Sequence, residues 1–208
     1  MLSVGRLRRS ELQQWSSDHL HDPQKSRPDD WPTEHRLPAT KVLPVYCGDY
    51  APGLTGLYSV LNGLKLLMAS HTPLKPSDER QLLEIGWNFM KGREAMPPNR
   101  GMRRATFIRL AEAMSFGLSR RRGEWVRWER TDTRTPHSQT NANSILERQL
   151  VAGRVVLVLL GWGEYTVLRG YTETSWLLFD AAGRHWIRRK ALPVELGPLP
   201  VLTLWHAI

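Results

Sequence analysis

The hydrophobic period of this chain changes once, about halfway along. From residue 55 to 68, Leu57, Val60, Leu61, Leu64 and Leu67 or Met68 recur at three- and four-residue intervals, which predicts a helix with one buried face. A Gly/Pro-rich loop, Cys47-Gly-Asp-Tyr-Ala-Pro-Gly53, feeds that helix after a short extended entry at 42–46. A second helix is expected from Ser77, which supplies a cap ahead of Asp78 and Glu79, to about Met90, with Gly92 as its stop. A third is expected over 103–116, burying Phe107, Leu110, Ala111 and Met114 and ending at Gly117.

The second half reads differently. Trp125-Val-Arg-Trp128 mixes apolar and basic residues as a half-exposed strand does, and a polar loop follows over 131–143. Ser144-Ile-Leu-Glu147 has the form of a capping box, opening a short helix to about Val151 before Gly153. Five apolar runs then follow, at 155–160, 165–171, 176–179, 185–188 and 201–205, the first four joined by short turns. Short turns require antiparallel neighbours. Helices first and an antiparallel sheet second make an α+β domain with a central buried helix and about five or six strands. Residues 1–40, broken by Pro23, Pro28, Pro32 and Pro38, read as a polar arm or linker, and 41–208 as the domain.

Composition narrows the function classes. No run of apolar residues approaches the eighteen or so that a membrane span needs, so no membrane partner is expected. The basic N-terminus is not followed by the apolar stretch of a secretory signal. Cys47 is the single cysteine, which excludes an intramolecular disulfide and a multi-cysteine zinc site, and a cytoplasmic setting is the simplest expectation. No metal or other cofactor is expected; His19, His21 and His35 sit in the arm without a companion motif. The formal charge is +9 and the pI about 10.2. Ten arginines crowd residues 100–134, and Arg100, Arg103, Arg104, Arg120, Arg121 and Arg122 either meet nucleic acid or form a solvated face. Nine tryptophans accompany them; Trp162, in the turn before Glu164, is placed for a protein contact or for stacking on bases.

Three segments carry a family resemblance. Gly56-Leu-Tyr-Ser-Val-Leu-Asn-Gly-Leu64 resembles the helix that follows the nucleophile in the papain-like cysteine peptidases. Glu164-Tyr-Thr-Val-Leu-Arg-Gly-Tyr171 resembles the strand that begins with their histidine, and Trp176-Leu-Leu-Phe-Asp180-Ala-Ala-Gly183 the strand that ends with the residue orienting it. Over about 42–205 the element order is most similar to the compact branch that includes the double-glycine leader peptidases of bacterial export systems. The resemblance implies a papain-like fold, with Thr55, Glu164 and Asp180 at the triad positions. Thr55 stands where the family carries cysteine and Glu164 where it carries histidine; only Asp180 is of the family's type.

Those two departures remove the chemistry. Such a peptidase needs a thiolate stabilised by imidazolium and by a helix N-terminus. A threonine hydroxyl is far less acidic, and a glutamate with an unperturbed pKa near ~4.3 is a poor base for it. The expected function is therefore a catalytically inactive domain that binds another protein or scaffolds a multi-subunit assembly. If the three positions converge, they make a negative cleft end able to hold an Arg or Lys of a partner or a divalent ion, unless Glu164 compensates an arginine of the chain such as Arg169. Ser59 and Asn62, on the first helix, are expected to satisfy core polarity. Two alternatives stay open. Cys47, beside Gly48, is the one other nucleophile for a divergent hydrolase, with His185 or His206 as base, although Asp49 would raise its pKa. The other is a basic subunit associated with nucleic acid through the Arg-rich segment.

Overall fold

Helix α1, Thr55–Ala69, is buried along nearly its whole circumference: every residue from 55 to 68 is shielded from solvent. In the computed structural model it lies between the antiparallel sheet and two further helices, α2 (Pro76–Lys91) and α3 (Arg104–Arg122). That position explains a helix buried all round, where the sequence pattern called for a single face; its buried polar residues are Thr55, Ser59, Asn62 and Lys65, the last paired with Glu79. The structure describes residues 35–37, 44–45, 54–91, 102–123, 125–132, 139–161, 164–192 and 200–207. Cys47 with its loop, Asp49, Gly92, Arg100, His137, Trp162 and residues 1–34 of the arm lie outside them.

The chain is α+β, as expected, but the sheet has seven strands among the described residues rather than five or six. The strands are β1 (His35–Arg36), β2 (Trp125–Asp132), β3 (Val155–Gly161), β4 (Glu164–Tyr171), β5 (Ser175–Phe179), β6 (Trp186–Arg188) and β7 (Pro200–Ala207). Their order is β2-β7-β3-β4-β5-β6, every pairing antiparallel. The extra strand is β1, from the segment read as an arm. It pairs with Gly170 and Tyr171 of β4, past the point where β3 leaves that edge, and the buried Leu37 follows it into the core.

Three boundaries differ from the sequence reading, each for a packing reason. Gly117 does not end α3. The helix continues to Arg122 and stops at Gly123, whose φ of 68° is the left-handed C-cap conformation that glycine adopts at least cost. Gly117 instead lets α3 approach α2, where a Cβ would meet Ile85. Helix α4 runs Gln139–Val151, so Ser144 is not its cap and most of the expected loop is helix or strand. The stripe Ala142, Leu146 and Leu150 is fully buried and carries the helix more than a turn ahead of Ser144.

The start of α2 differs too. Pro76 is its first residue, where a missing N–H costs nothing, and Asp78 rather than Ser77 supplies the cap contact. The Lys75 amide donates to Asp78 Oδ2 at 2.9 Å, the reciprocal half of a capping box. Arg122 donates to the same oxygen and to the carbonyls of Thr72 and Pro73, and Arg121 Nε lies 3.0 Å from Asp78 Oδ1. One carboxylate thus holds the end of α3 to the start of α2.

Burial pushes the Asp78 carboxyl upward, but the Lys75 amide and the two guanidiniums outweigh it and leave its pKa below the ordinary 3.8. A carboxyl depressed in the folded state contributes stability that is complete above its unfolded value and lost as pH falls through the folded one. Asp78→Asn is expected to lower stability by roughly 1–3 kcal/mol at neutral pH. The deficit should shrink below about pH 3.8, which urea titrations of both proteins across that range would measure.

Candidate functional site

The end of the core where α1 begins and β4 begins is fastened by one hydrogen bond. Ser59 Oγ donates to the Tyr165 carbonyl at 2.5 Å, both residues buried. Thr55 lies one helical turn ahead of Ser59, about 6 Å along the axis, and Glu164 immediately precedes Tyr165. Register brings Asp180 to the same end. Phe179 pairs with Val167 in antiparallel β4 and β5, so the residue after Phe179 falls towards the Glu164 terminus of β4. The three positions singled out in the sequence therefore share one end of the sheet–helix layer.

What joins two of them is Arg184, which the sequence reading did not select. Its Nε and one terminal nitrogen grip the two oxygens of Asp180, at 2.9 Å to Oδ2 and 3.2 Å to Oδ1. Its other terminal nitrogen reaches Glu164 Oε2 at 2.8 Å. The turn is built for this grip. Gly183 takes φ 79°, and the amides of Ala182 and Arg184 also donate to Asp180 Oδ2. Burial works to lower the Arg184 pKa, but Asp180 and Glu164 outweigh it and hold the guanidinium above its ordinary range.

Glu164 thus compensates an arginine of the chain, with Arg184 rather than the Arg169 named as an example in that role. The expected cavity for a partner's cation is filled by a cation of the chain itself. Glu164 is still the most accessible member, its side chain 44% exposed against 2% for Asp180.

Thr55 does not complete a nucleophile–base pair. Its residue is 3% exposed, and its hydroxyl has no hydrogen-bond partner among the described residues. The next residue, Gly56, packs so closely that a Cβ would lie 2.8 Å from the Met102 sulfur. Neither histidine offered as a base repairs this. The His185 side chain is exposed beyond β5, its carbonyl accepting from the Leu178 amide. His206 pairs with Val126 at the opposite end of the sheet, past the position where Val155 meets Leu204. Among the described residues no three His, Cys, Asp or Glu side chains gather as metal ligands would.

Beneath the clamp, Tyr165 stacks on Phe107, their ring centroids 3.6 Å apart and nearly parallel. Burial drives the Tyr165 pKa well above its ordinary value against the pull of Arg104, so its hydroxyl stays protonated at any physiological pH. Ser59 fills the core-satisfying role expected of it, and Asn62 is fully buried beside it.

The arginines do not make one patch. Arg103 and Arg104 stand at the N-terminus of α3 and Arg120, Arg121 and Arg122 at its C-terminus, about 25 Å away along the axis. Arg121 and Arg122 are committed to Asp78, leaving Arg120 the exposed guanidinium of that end with no ion pair among the described residues. Among the described residues no helix is long and apolar enough to cross a membrane. No family model matches the chain, and neither a curated protein nor a solved structure matches it.

Proposed function

We propose that this chain is a catalytically inactive papain-like domain that serves as a protein-binding or scaffold subunit of a larger, bacterial-type assembly, in a cytoplasmic setting. One observation carries the reading: the Arg184 guanidinium occupies both Glu164 and Asp180. A carboxylate whose oxygens are already held by a guanidinium of the chain is not presented to a hydroxyl as a base. The hydroxyl that it would have to activate is buried one turn away from the Ser59–Tyr165 contact. Supporting it are the order of helices before an antiparallel sheet, the buried central α1, and the convergence of Thr55, Glu164 and Asp180 at one end.

The test is turnover by the full chain on peptide and isopeptide substrates, including peptides carrying a double-glycine junction. No hydrolysis above buffer is expected, and Thr55→Ala or Glu164→Ala should change nothing. Turnover that either substitution abolishes would overturn the proposal. So would labelling by a thiol-directed electrophile that Cys47→Ser removes together with turnover, which would install Cys47 as a nucleophile.

A further inference from the structure

A cleft of about 450 Å³ opens between the C-terminal half of α3 and strand β2. Glu112, Ser115, Phe116 and Arg120 form its helical wall, Val126 and Trp128 its strand wall. Phe116 is 68% exposed, an aromatic side chain left in solvent at the rim. Glu112 and Arg120, both exposed, stand there without an ion-pair partner among the described residues.

The backbone beside this cleft is also unfinished. Among the described residues, strand β2 is the last in the sheet order and pairs only with β7. The Val126 amide donates to Ser119 Oγ at 3.0 Å, so it points away from β7 and towards α3. Successive residues of a strand direct their N–H and C=O groups to alternate sides, and the β2–β7 register runs without a shift from Trp125 to Asp132. Trp128 and Arg130 therefore face the same open edge as Val126. The Val126 amide is capped by α3; beyond it, no strand of the described residues pairs with that edge.

An open strand edge, an apolar slot and two opposite charges together describe the complement of an extended peptide. We infer that β2 accepts such a segment of a partner protein as an added antiparallel strand, a reading that rests on the protein-binding role proposed above and gives it a surface. Strand addition draws affinity from main-chain hydrogen bonds and specificity from pockets for alternate side chains. Glu112 and Arg120 lie eight residues apart on α3, about 12 Å along its axis, which matches roughly four residues of extended chain. Four residues is an even step, so a base, an apolar residue two further on and an acid two beyond that all share one face. Gly123 reverses the chain between α3 and β2, so β2 runs from the Arg120 end towards the Glu112 end. An antiparallel partner reads, from N to C, base, any residue, apolar residue, any residue, acid. Its base meets Glu112, its apolar side chain enters between Phe116 and Trp128, and its acid meets Arg120.

The experiment is fluorescence anisotropy with the full chain and a labelled nonapeptide centred on lysine, threonine, leucine, threonine, glutamate. Saturable binding is expected, weakened by about tenfold or more in Phe116→Ala and in Arg120→Glu, each a change at an exposed rim position. The doubly reversed Glu112→Lys, Arg120→Glu variant should prefer the peptide with its lysine and glutamate exchanged. Methylating the peptide nitrogens that face β2 should abolish binding. Absence of binding, indifference to both substitutions, or survival of binding after N-methylation would each overturn the inference. Mass spectrometry of the same mixtures separates the two readings. An intact, unbound peptide removes the docking surface and leaves the inactive-domain reading standing; a bound peptide cut in a Thr55-dependent way does the reverse.

Discussion

Arg184→Met is expected to lower the unfolding free energy by roughly 2–4 kcal/mol, among the largest effects of any single change near the candidate site. The cost comes from the partner left behind. Asp180 is 2% exposed in its side chain and would lose the fork that neutralises it, retaining only the amides of Ala182 and Arg184. The upper figure for breaking a buried pair is trimmed because Arg184 itself keeps 19% exposure and water can reach its place. Glu164→Gln is the internal contrast. Its side chain is 44% exposed and loses a single contact to Arg184, so a change under about 1 kcal/mol is expected. Pairing Arg184→Met with Asp180→Asn should recover part of the loss, because the buried charge goes with its counter-ion. Urea unfolding of the three variants decides the matter. If Arg184→Met costs no more than Glu164→Gln, the clamp is a surface ion pair and the argument for a closed site fails.

The parts of this fold legible in the sequence are those written in local periods. The three- and four-residue spacing of Leu57, Val60, Leu61 and Leu64 located α1 because those residues form its apolar core-facing stripe. The burial of its polar side, with Ser59, Asn62 and Lys65, depends on neighbours that no local period shows. Strands β3, β4 and β5 were legible because short turns fix antiparallel neighbours whatever else the chain does. Where a residue serves two purposes, local reading took the wrong one. Gly117 looks like a stop signal but is a contact residue, and the capping-box glutamate Glu147 instead pairs with Arg189, whose guanidinium also sits about 5 Å over the rings of Tyr171 and Trp176. The short β1 lacks any period to read, since two residues cannot show one. Arg184 was hidden for a different reason. Its link to Asp180 is four residues long and could have been noticed in Asp-Ala-Ala-Gly-Arg, but its link to Glu164 spans twenty and exists only through the β4–β5 register. The candidate positions were thus readable one by one, whereas the interaction that closes them was a property of the sheet.

Two glycines at helix crossings give the other large expected effect, and they should behave in opposite ways. Replacing glycine by alanine inside a helix gains about 1 kcal/mol from backbone propensity alone. At Gly86 of α2, however, the new methyl would collide with Leu57 Cδ1 and sit 3.2 Å from Met114 Sδ and 3.4 Å from Leu110 Cδ1. All three neighbours are buried, Leu110 and Met114 completely, so Leu57 has no empty rotamer to take. Overpacking of this kind costs about 1–3 kcal/mol or more, and Gly86→Ala should be net destabilising by about 1–2 kcal/mol even after the propensity gain. At Gly117 of α3 the methyl meets one side chain, Ile85, through the flexible end of its Cδ1, the next atoms lying 3.7 and 3.9 Å away. Ile85 is only half-buried and can rotate outward, so Gly117→Ala should fall within about 0.5 kcal/mol of the parent. The comparison tests the packing of α1 directly, because Leu57 belongs to it and Ile85 does not. Thermal and urea unfolding of the two variants should rank Gly86→Ala far below Gly117→Ala; equal stabilities would mean that α2 does not press on α1 at Leu57. A second change, Leu57→Ala in the Gly86→Ala background, should cost less than Leu57→Ala alone, since the inserted methyl then occupies space that the leucine has vacated.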